Sequence, residues 1–238
     1  MDNIKDGILN VIKPVGISSF SFMRKVQRKI NIKKIGHLGT LDPNACGVLV
    51  LLCGRGTKLN QKLSGGSKVY RSIFTFGIET DTLDPEGQVI ARNDSDEAIP
   101  TKMQIETLLP TLVGEIQIEV PKFSAVHING ERAYDLARKG IDFTPPTKTV
   151  KIHRFELIDL SAQDAELMGR DINIAPNEFY FEIECETGTY VRSLAKLVAN
   201  KLGTIAIASS ILRTRVGDFD ITDAKSLEDV TEEDMIKI

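Results

Sequence analysis

The chain has 238 residues, 42% of them hydrophobic and 26% charged, with a formal net charge of −3. That balance suits a folded body with one substantial core and excludes a disordered or low-complexity protein. Three scattered cysteines, distant histidines and a longest apolar run of six residues exclude a disulfide framework, a structural zinc site and a membrane-spanning helix.

The N-terminus has no basic stretch ahead of an apolar one, so no signal peptide and a cytoplasmic location are expected. Residues 8–12 read as a strand. Ser18 or Ser19 can cap a helix running to about Ile30, with Phe22, Met23, Val26 and Ile30 on its apolar face. Residues 48–53 read as a core strand and 69–77 as another, followed by a turn-rich acidic loop over 81–87. Residues 93–100 are a polar connector, and Thr101 can cap a short helix ending near Leu109. Asn129-Gly130 signals a type I′ hairpin, and residues 133–139 a helix closed by Gly140. Residues 160–177 read as a surface excursion. Phe179, Phe181, Ile183 and Cys185 alternate as in a half-buried strand, and residues 189–202 carry a helical apolar face stopped by Gly203. The fold class is a mixed α+β body.

Charge is unevenly spread. Residues 8–41 carry Lys13, Arg24, Lys25, Arg28, Lys29, Lys33 and Lys34 and no acid. Residues 79–97 hold seven acids against Arg92, and residues 218–238 a net −6, which leaves +3 on residues 1–217. A basic face beside acidic edges fits a modest RNA binder, although a run such as Arg24 to Lys34 can also be a solvated helix face.

Residues 36–49, GHLGTLDPNACGVL, place one carboxylate, Asp42, in a glycine-punctuated loop ahead of a buried-looking strand. Pro43 fixes its own φ and pushes Asp42 toward an extended conformation. A rigidly seated acid that a substrate can reach suits a nucleophile or base, and an Asp before Pro also organises turns.

This segment resembles the GHxGxLDP-x-A-x-G-x-L signature of the TruB-type tRNA pseudouridine synthases, the family that includes the dyskerin-type enzymes. Residues 12–19, IKPVGISS, are similar to its KPxGxSS block, Lys68-Val69-Tyr70 to its K-x-Y, and residues 77–87 to its G-x-x-T-D-T-x-D-x-x-G pattern. Residues 121–140 resemble its P-x-x-SA to A-R-x-G segment, residues 185–192 its C-x-x-G-T-Y-I-R, and Leu212-Arg213 its late L-R-R block. These ordered blocks cover most of residues 7–217.

The resemblance implies a pseudouridine synthase fold: a mixed, largely antiparallel sheet with a central catalytic cleft and flanking helices. It implies isomerisation of the uridine at position 55 in the tRNA T-loop, with no cofactor and no metal. The substrate would be the T-arm stem-loop, bound by a monomer with no membrane association. Asp42 maps onto the catalytic aspartate. Tyr70 maps onto a stacking tyrosine and Tyr190 onto one placed for proton transfer at C5. Arg192 maps onto the arginine that pairs with the catalytic carboxylate, Leu212 onto a contact with the target base, and His37 onto a histidine that holds the RNA loop open. Lys13 and Pro14 would support the loop.

Leu38, Asn44 and Cys46 depart from the family's usual Thr, Leu and Thr, and Phe123 sits at a variable position. Residues 1–217 are expected to form the catalytic domain, with a thumb-like RNA-contacting segment over 121–146. Residues 218–238 are expected to be a short acidic tail in place of a full C-terminal RNA-binding domain. A synthase acting on another RNA hairpin, and a non-catalytic RNA-binding or tRNA-folding protein, are the alternatives.

Overall fold

The computed structural model describes residues 6–93, 95, 99–124, 126–128 and 130–238. Its strands are β1 (Gly7–Lys13), β2 (Ile35–Leu38), β3 (Ala45–Cys53), β4 (Lys68–Phe76), β5 (Ile78–Thr80), β6 (Val89–Arg92), β7 (Gly114–Glu119), β8 (His127–Ile128), β9 (Glu131–Arg132), β10 (Thr147–Leu157), β11 (Glu178–Cys185), β12 (Ala206–Val216), β13 (Phe219–Asp220) and β14 (Ile236–Lys237). Its α-helices are α1 (Ser19–Lys29), α2 (Asn60–Leu63), α3 (Lys102–Leu108), α4 (Ala133–Arg138), α5 (Ala162–Leu167) and α6 (Val191–Lys201). The chain forms two compact units. One comprises Met1–Arg71, Leu160–Ile172 and Ile211–Ile238, the other Ser72–Asp159 and Asn173–Ser210. β4 and β12 contribute residues to both.

In the first unit β3 is central, and all nine of its residues are buried. One edge pairs antiparallel with β1, from Gly7↔Cys53 to Lys13↔Gly47. The other edge pairs antiparallel with β2 near its end and parallel with β12 near its start. Alternation splits its side chains between two cores. Leu49, Leu51 and Cys53 pack with Leu9, Val11 and the Phe22, Met23 and Val26 face of α1, while Val48, Val50 and Leu52 pack with Ile8, Leu38 and Val216. A continuous apolar run is what a strand covered on both faces requires.

Two expectations are corrected here. Residues 218–238 are not a detached tail. β13 pairs with β12, β14 pairs with β1, and Lys225 exchanges backbone bonds with Asn10 and Ile12. Val230 is buried in the α1 core, with Leu227 and Met235 packed against it. These apolar residues fold inward while most of the acids face solvent, so the net charge masked a core-forming segment. Nor are residues 160–177 a mere surface excursion. Ser161 caps α5, which buries Ala165 and Asp164, with Met168 buried just beyond it, and Arg71 holds the Asp164 carboxylate at 3.0 Å.

The second unit is built on β7, β10, β11 and β4 in that spatial order, with β10 antiparallel to both β7 and β11. Phe74, Phe155 and Phe181 form its aromatic centre, the Phe74 and Phe181 rings 4.5 Å apart. β11 is more buried than its alternation predicts: Tyr180 to Ile183 are all buried, and Arg154 ties Glu182 at 2.5 Å. Placement between two neighbouring strands overrode the half-buried pattern. α6 follows its predicted face, with Val191, Leu194 and Val198 buried, and Ser193 donates to the Glu119 carbonyl. β8 and β9 form the predicted hairpin, His127 opposite Arg132 and Gly130 at φ +91°. Asn129 lies outside the described residues.

Candidate active site

The Asp42 loop bridges β2 and β3, and almost every residue in it is separately anchored. Arg213, wholly buried on β12, donates from Nε to the Val48 carbonyl (2.9 Å), from Nη2 to the Gly39 carbonyl (3.1 Å) and from Nη1 to that of Thr40 (3.5 Å). Ser19 Oγ donates to the Leu41 carbonyl and accepts from the Leu41 N–H, both at 2.8 Å. Lys13, also wholly buried, donates to the Pro14 and Ile17 carbonyls at 2.8 Å and to that of Pro43 at 3.4 Å. The Gly16 N–H reaches the same Pro43 carbonyl at 2.9 Å, and the Asp42 carbonyl accepts from the Ala45 N–H at 3.0 Å. Asp42 therefore sits half-buried on backbone pinned at 39–41 and again at 43. Such fixing of a reactive carboxylate removes the need to order it during reaction.

Only glycine fits where this loop enters β3. Gly47 has φ +102°, and a Cβ there would lie 2.2 Å from the Arg213 carbonyl oxygen. Gly39, at φ +70°, leaves room for the Lys68 ammonium and the Arg213 guanidinium.

His37 lies in β2 opposite Leu51, not on the glycine loop where the sequence placed it. Its Nδ1 is buried and without a hydrogen-bond partner. Burial, and then the Arg213 charge, hold its pKa below the ordinary 6.5, which keeps the imidazole neutral. Tyr70 is buried on β4. Leu212 is completely buried, opposite Cys46 in the parallel β12–β3 pairing, so in this unit its side chain packs and presents no surface to a base. Lys13 meets the loop at the Pro43 carbonyl, whereas Pro14 is exposed and its carbonyl accepts from Lys13 Nζ. The departures Leu38 and Cys46 are core positions; burial pushes the Cys46 thiol up to about 12 and its Sγ faces the Ile211 carbonyl, so it acts as a small apolar filler.

Tyr190 and Arg192 belong to the second unit. Tyr190 is the half-buried residue at the N-terminal boundary of α6. The Arg192 side chain is buried; it donates to the Thr82 carbonyl at 2.7 Å and the Phe123 carbonyl at 3.0 Å, and its Nη1 is 3.6 Å from Asp84 Oδ2. Asp84 is itself fixed, accepting from Thr82 Oγ1 at 2.7 Å and from the Glu86 N–H at 3.0 Å. The acidic loop over 81–87 is thus the seat of Arg192, with buried Leu83 held at φ +62°.

Sequence reasoning missed Ser19, Arg213 and Asp84 as site-building residues. Ser18, not Ser19, turns out to cap α1, which frees the second hydroxyl for Leu41. The signal for Arg213 was a cation directly following the apolar pair Ile211-Leu212 within a strand-like segment. Among the described residues no group of three or more His, Cys, Asp or Glu is arranged to hold a metal ion, and no helix is long and apolar enough to cross a membrane.

Residues 27–191 match the family model for the TruB family pseudouridylate synthase (N terminal domain). The tRNA pseudouridine synthase B of Geobacillus thermodenitrificans (strain NG80-2) is 38% identical over 225 residues, spanning 94% of this chain and 72% of that protein. The tRNA pseudouridine synthase B of Bacillus cereus (strain ATCC 14579) is 38% identical over 228 residues, 95% and 71% respectively. Among solved structures, a Cbf5-Nop10-Gar1 complex contains a chain that superposes with a TM-score of 0.68 at 25% identity, over 95% of this chain and 54% of that one. A chain of an H/ACA RNP bound to a substrate RNA containing 2'-deoxyuridine superposes with a TM-score of 0.65 at 23% identity, over 95% and 52%, a likeness of fold. This chain spans about half the length of those two solved chains.

Proposed function

This chain belongs to the TruB family of pseudouridylate synthases, and from that premise we propose that it isomerises uridine to pseudouridine at position 55 in the T-loop of tRNA. The observation that carries the reading is the loop of Asp42, pinned by Lys13, Ser19 and Arg213 from three different elements. A catalytic acid needs that rigidity; a turn-forming aspartate does not.

The reaction breaks the N1–C1′ bond, turns the base and joins C5 to C1′. Asp42 attacks C1′ or removes the C2′ proton, and either step requires its carboxylate beside the ribose. The uridine must leave its stack to reach that carboxylate. Tyr70 supplies a face for the extruded base and Tyr190 handles the C5 proton, while Arg192, held by Asp84 and the Thr82 and Phe123 carbonyls, fixes the start of α6 on which Tyr190 stands. The neutral His37 helps to keep the RNA loop open. Leu212 acts from inside the core, by setting β12 against β3. The exposed cations Arg24, Lys25 and Arg28 of α1 meet the phosphate backbone of the T-arm.

The test is tritium release from C5-labelled uridine in an unmodified tRNA transcript. Wild-type protein is expected to release tritium, and to stop when the T-loop uridine alone is replaced. Asp42→Asn keeps the size of the side chain but can neither attack nor accept a proton, so it is expected to bind RNA and release nothing. Single-turnover product from purified Asp42→Asn overturns the assignment. RNA binding by wild-type protein without any release would leave a non-catalytic RNA-binding protein.

A further inference from the structure

α1 breaks its own pattern at one position. Phe22, Met23 and Val26 fill the core, but Phe20, on the first turn, is 63% exposed. A lone exposed ring is common on protein surfaces, so its setting has to carry the argument. Its location narrows the choice. Phe20 follows Ser19, whose hydroxyl makes both bonds to Leu41, and Leu41 precedes Asp42. Bond lengths then keep the Cα atoms of Phe20 and Asp42 within about 14 Å of one another.

The rest of that helix face is polar and cationic. Arg24, Gln27 and Arg28, at i+4, i+7 and i+8, lie on the same side as Phe20, and Arg24 donates to Gln27 Oε1 at 2.6 Å. No acid occurs anywhere in residues 8–41. A single ring among guanidinium groups is too small and too charged an apolar surface for a protein partner. It matches the combination that holds unpaired nucleotides, an aromatic platform flanked by cations that track the phosphates.

We propose that Phe20 is a stacking platform for an unpaired base of the RNA substrate, a neighbour of the uridine delivered to Asp42. The proposal rests on the isomerase reading above. Tyr70 serves the target base; Phe20 holds the strand beside it, so its contribution falls on RNA binding rather than on the chemical step.

The chain contains no tryptophan, so Phe20→Trp introduces one emitter at the proposed contact. With full-length protein and an unmodified T-arm hairpin RNA, Phe20→Trp emission is expected to be quenched on binding, with affinity within threefold of wild type. Phe20→Ala is expected to weaken binding by roughly 5- to 150-fold, the loss of one base–aromatic stack. Its melting temperature should stay near that of wild type, since the ring is exposed, and its single-turnover rate at saturating RNA should be preserved. Wild-type affinity for Phe20→Ala, or unchanged Phe20→Trp emission at RNA saturation, overturns the proposal and leaves the isomerase reading standing. Failure of wild-type protein to bind the hairpin or isomerise it refutes the underlying reading instead.

Discussion

Replacing Arg213 by Met tests how the catalytic loop is held. Methionine has a similar length, fills much of the buried volume and removes every donor. The Val48 and Gly39 carbonyls, at 2.9 and 3.1 Å, lose good charge-assisted bonds, while the Thr40 contact at 3.5 Å counts for little. The buried Val48 carbonyl, once stranded, costs about 1–3 kcal/mol, and the carbonyl of exposed Gly39 less, because water can replace the lost donor. Relief from keeping a buried guanidinium out of water offsets part of that loss. The net destabilisation is expected to be about 1–3 kcal/mol, and at roughly 2–4 °C for each kcal/mol in a chain of this size the melting temperature falls by about 2–12 °C. The sharper effect is on catalysis. Gly39 and Thr40 lead directly to Leu41 and Asp42, and a displacement of about 1 Å in a reacting group can cost about 100-fold in rate. The assay is single-turnover tritium release at saturating RNA, at a temperature where circular dichroism shows the variant folded. RNA affinity should change little. Arg213→Lys keeps the charge but lacks the planar fork, so it recovers part of the stability and little of the rate. A folded Arg213→Met protein that turns over within threefold of wild type would refute the reasoning, because the loop would then be held by Ser19 and Lys13 alone.

Three further outcomes are expected. Gly47→Ala should prevent stable folding or cost more than about 3 kcal/mol, measured as soluble yield and urea midpoint, since its Cβ would strike the Arg213 carbonyl at 2.2 Å on backbone already at φ +102°. Val230→Ala, in the C-terminal segment, should lower stability by about 1–3 kcal/mol, whereas an unpacked tail would show no change in the urea midpoint. His37, whose pKa is lowered in the folded protein, resists protonation there while the unfolded chain takes up its proton near 6.5. Its effect is therefore absent above about pH 6.5 and grows into a loss of stability as pH falls below that value toward the folded pKa. His37→Gln should flatten this part of a urea-midpoint profile measured from about pH 8 to about pH 5; an identical profile in the variant would show that the imidazole is not shielded.

The local elements were legible in the residues themselves. The apolar spacing of Phe22, Met23, Val26 and Ile30 specified α1 and its inward face, and the run through Cys53 specified a strand buried on both sides. The sequence also singled out Asp42, because glycines and Pro43 around one acid describe a rigid loop, and the ordered motifs identified the family. Local pattern could not say what held that loop. Lys13, Ser19 and Arg213 reach it from β1, α1 and β12, and hydrogen bonds between residues as far apart as 39 and 213 leave no periodicity to read. The same limit explains the errors. Net charge made residues 218–238 look like a solvated tail, when a few apolar side chains and strand pairing with β1 and β12 drew them into the core. His37 read as a loop residue because its glycine neighbours are visible in sequence and its pairing with Leu51 is not. Composition and spacing determine which segments can bury a face; only tertiary packing decides which distant donors meet a given backbone carbonyl, because that choice is made by folded neighbours and not by adjacent residues.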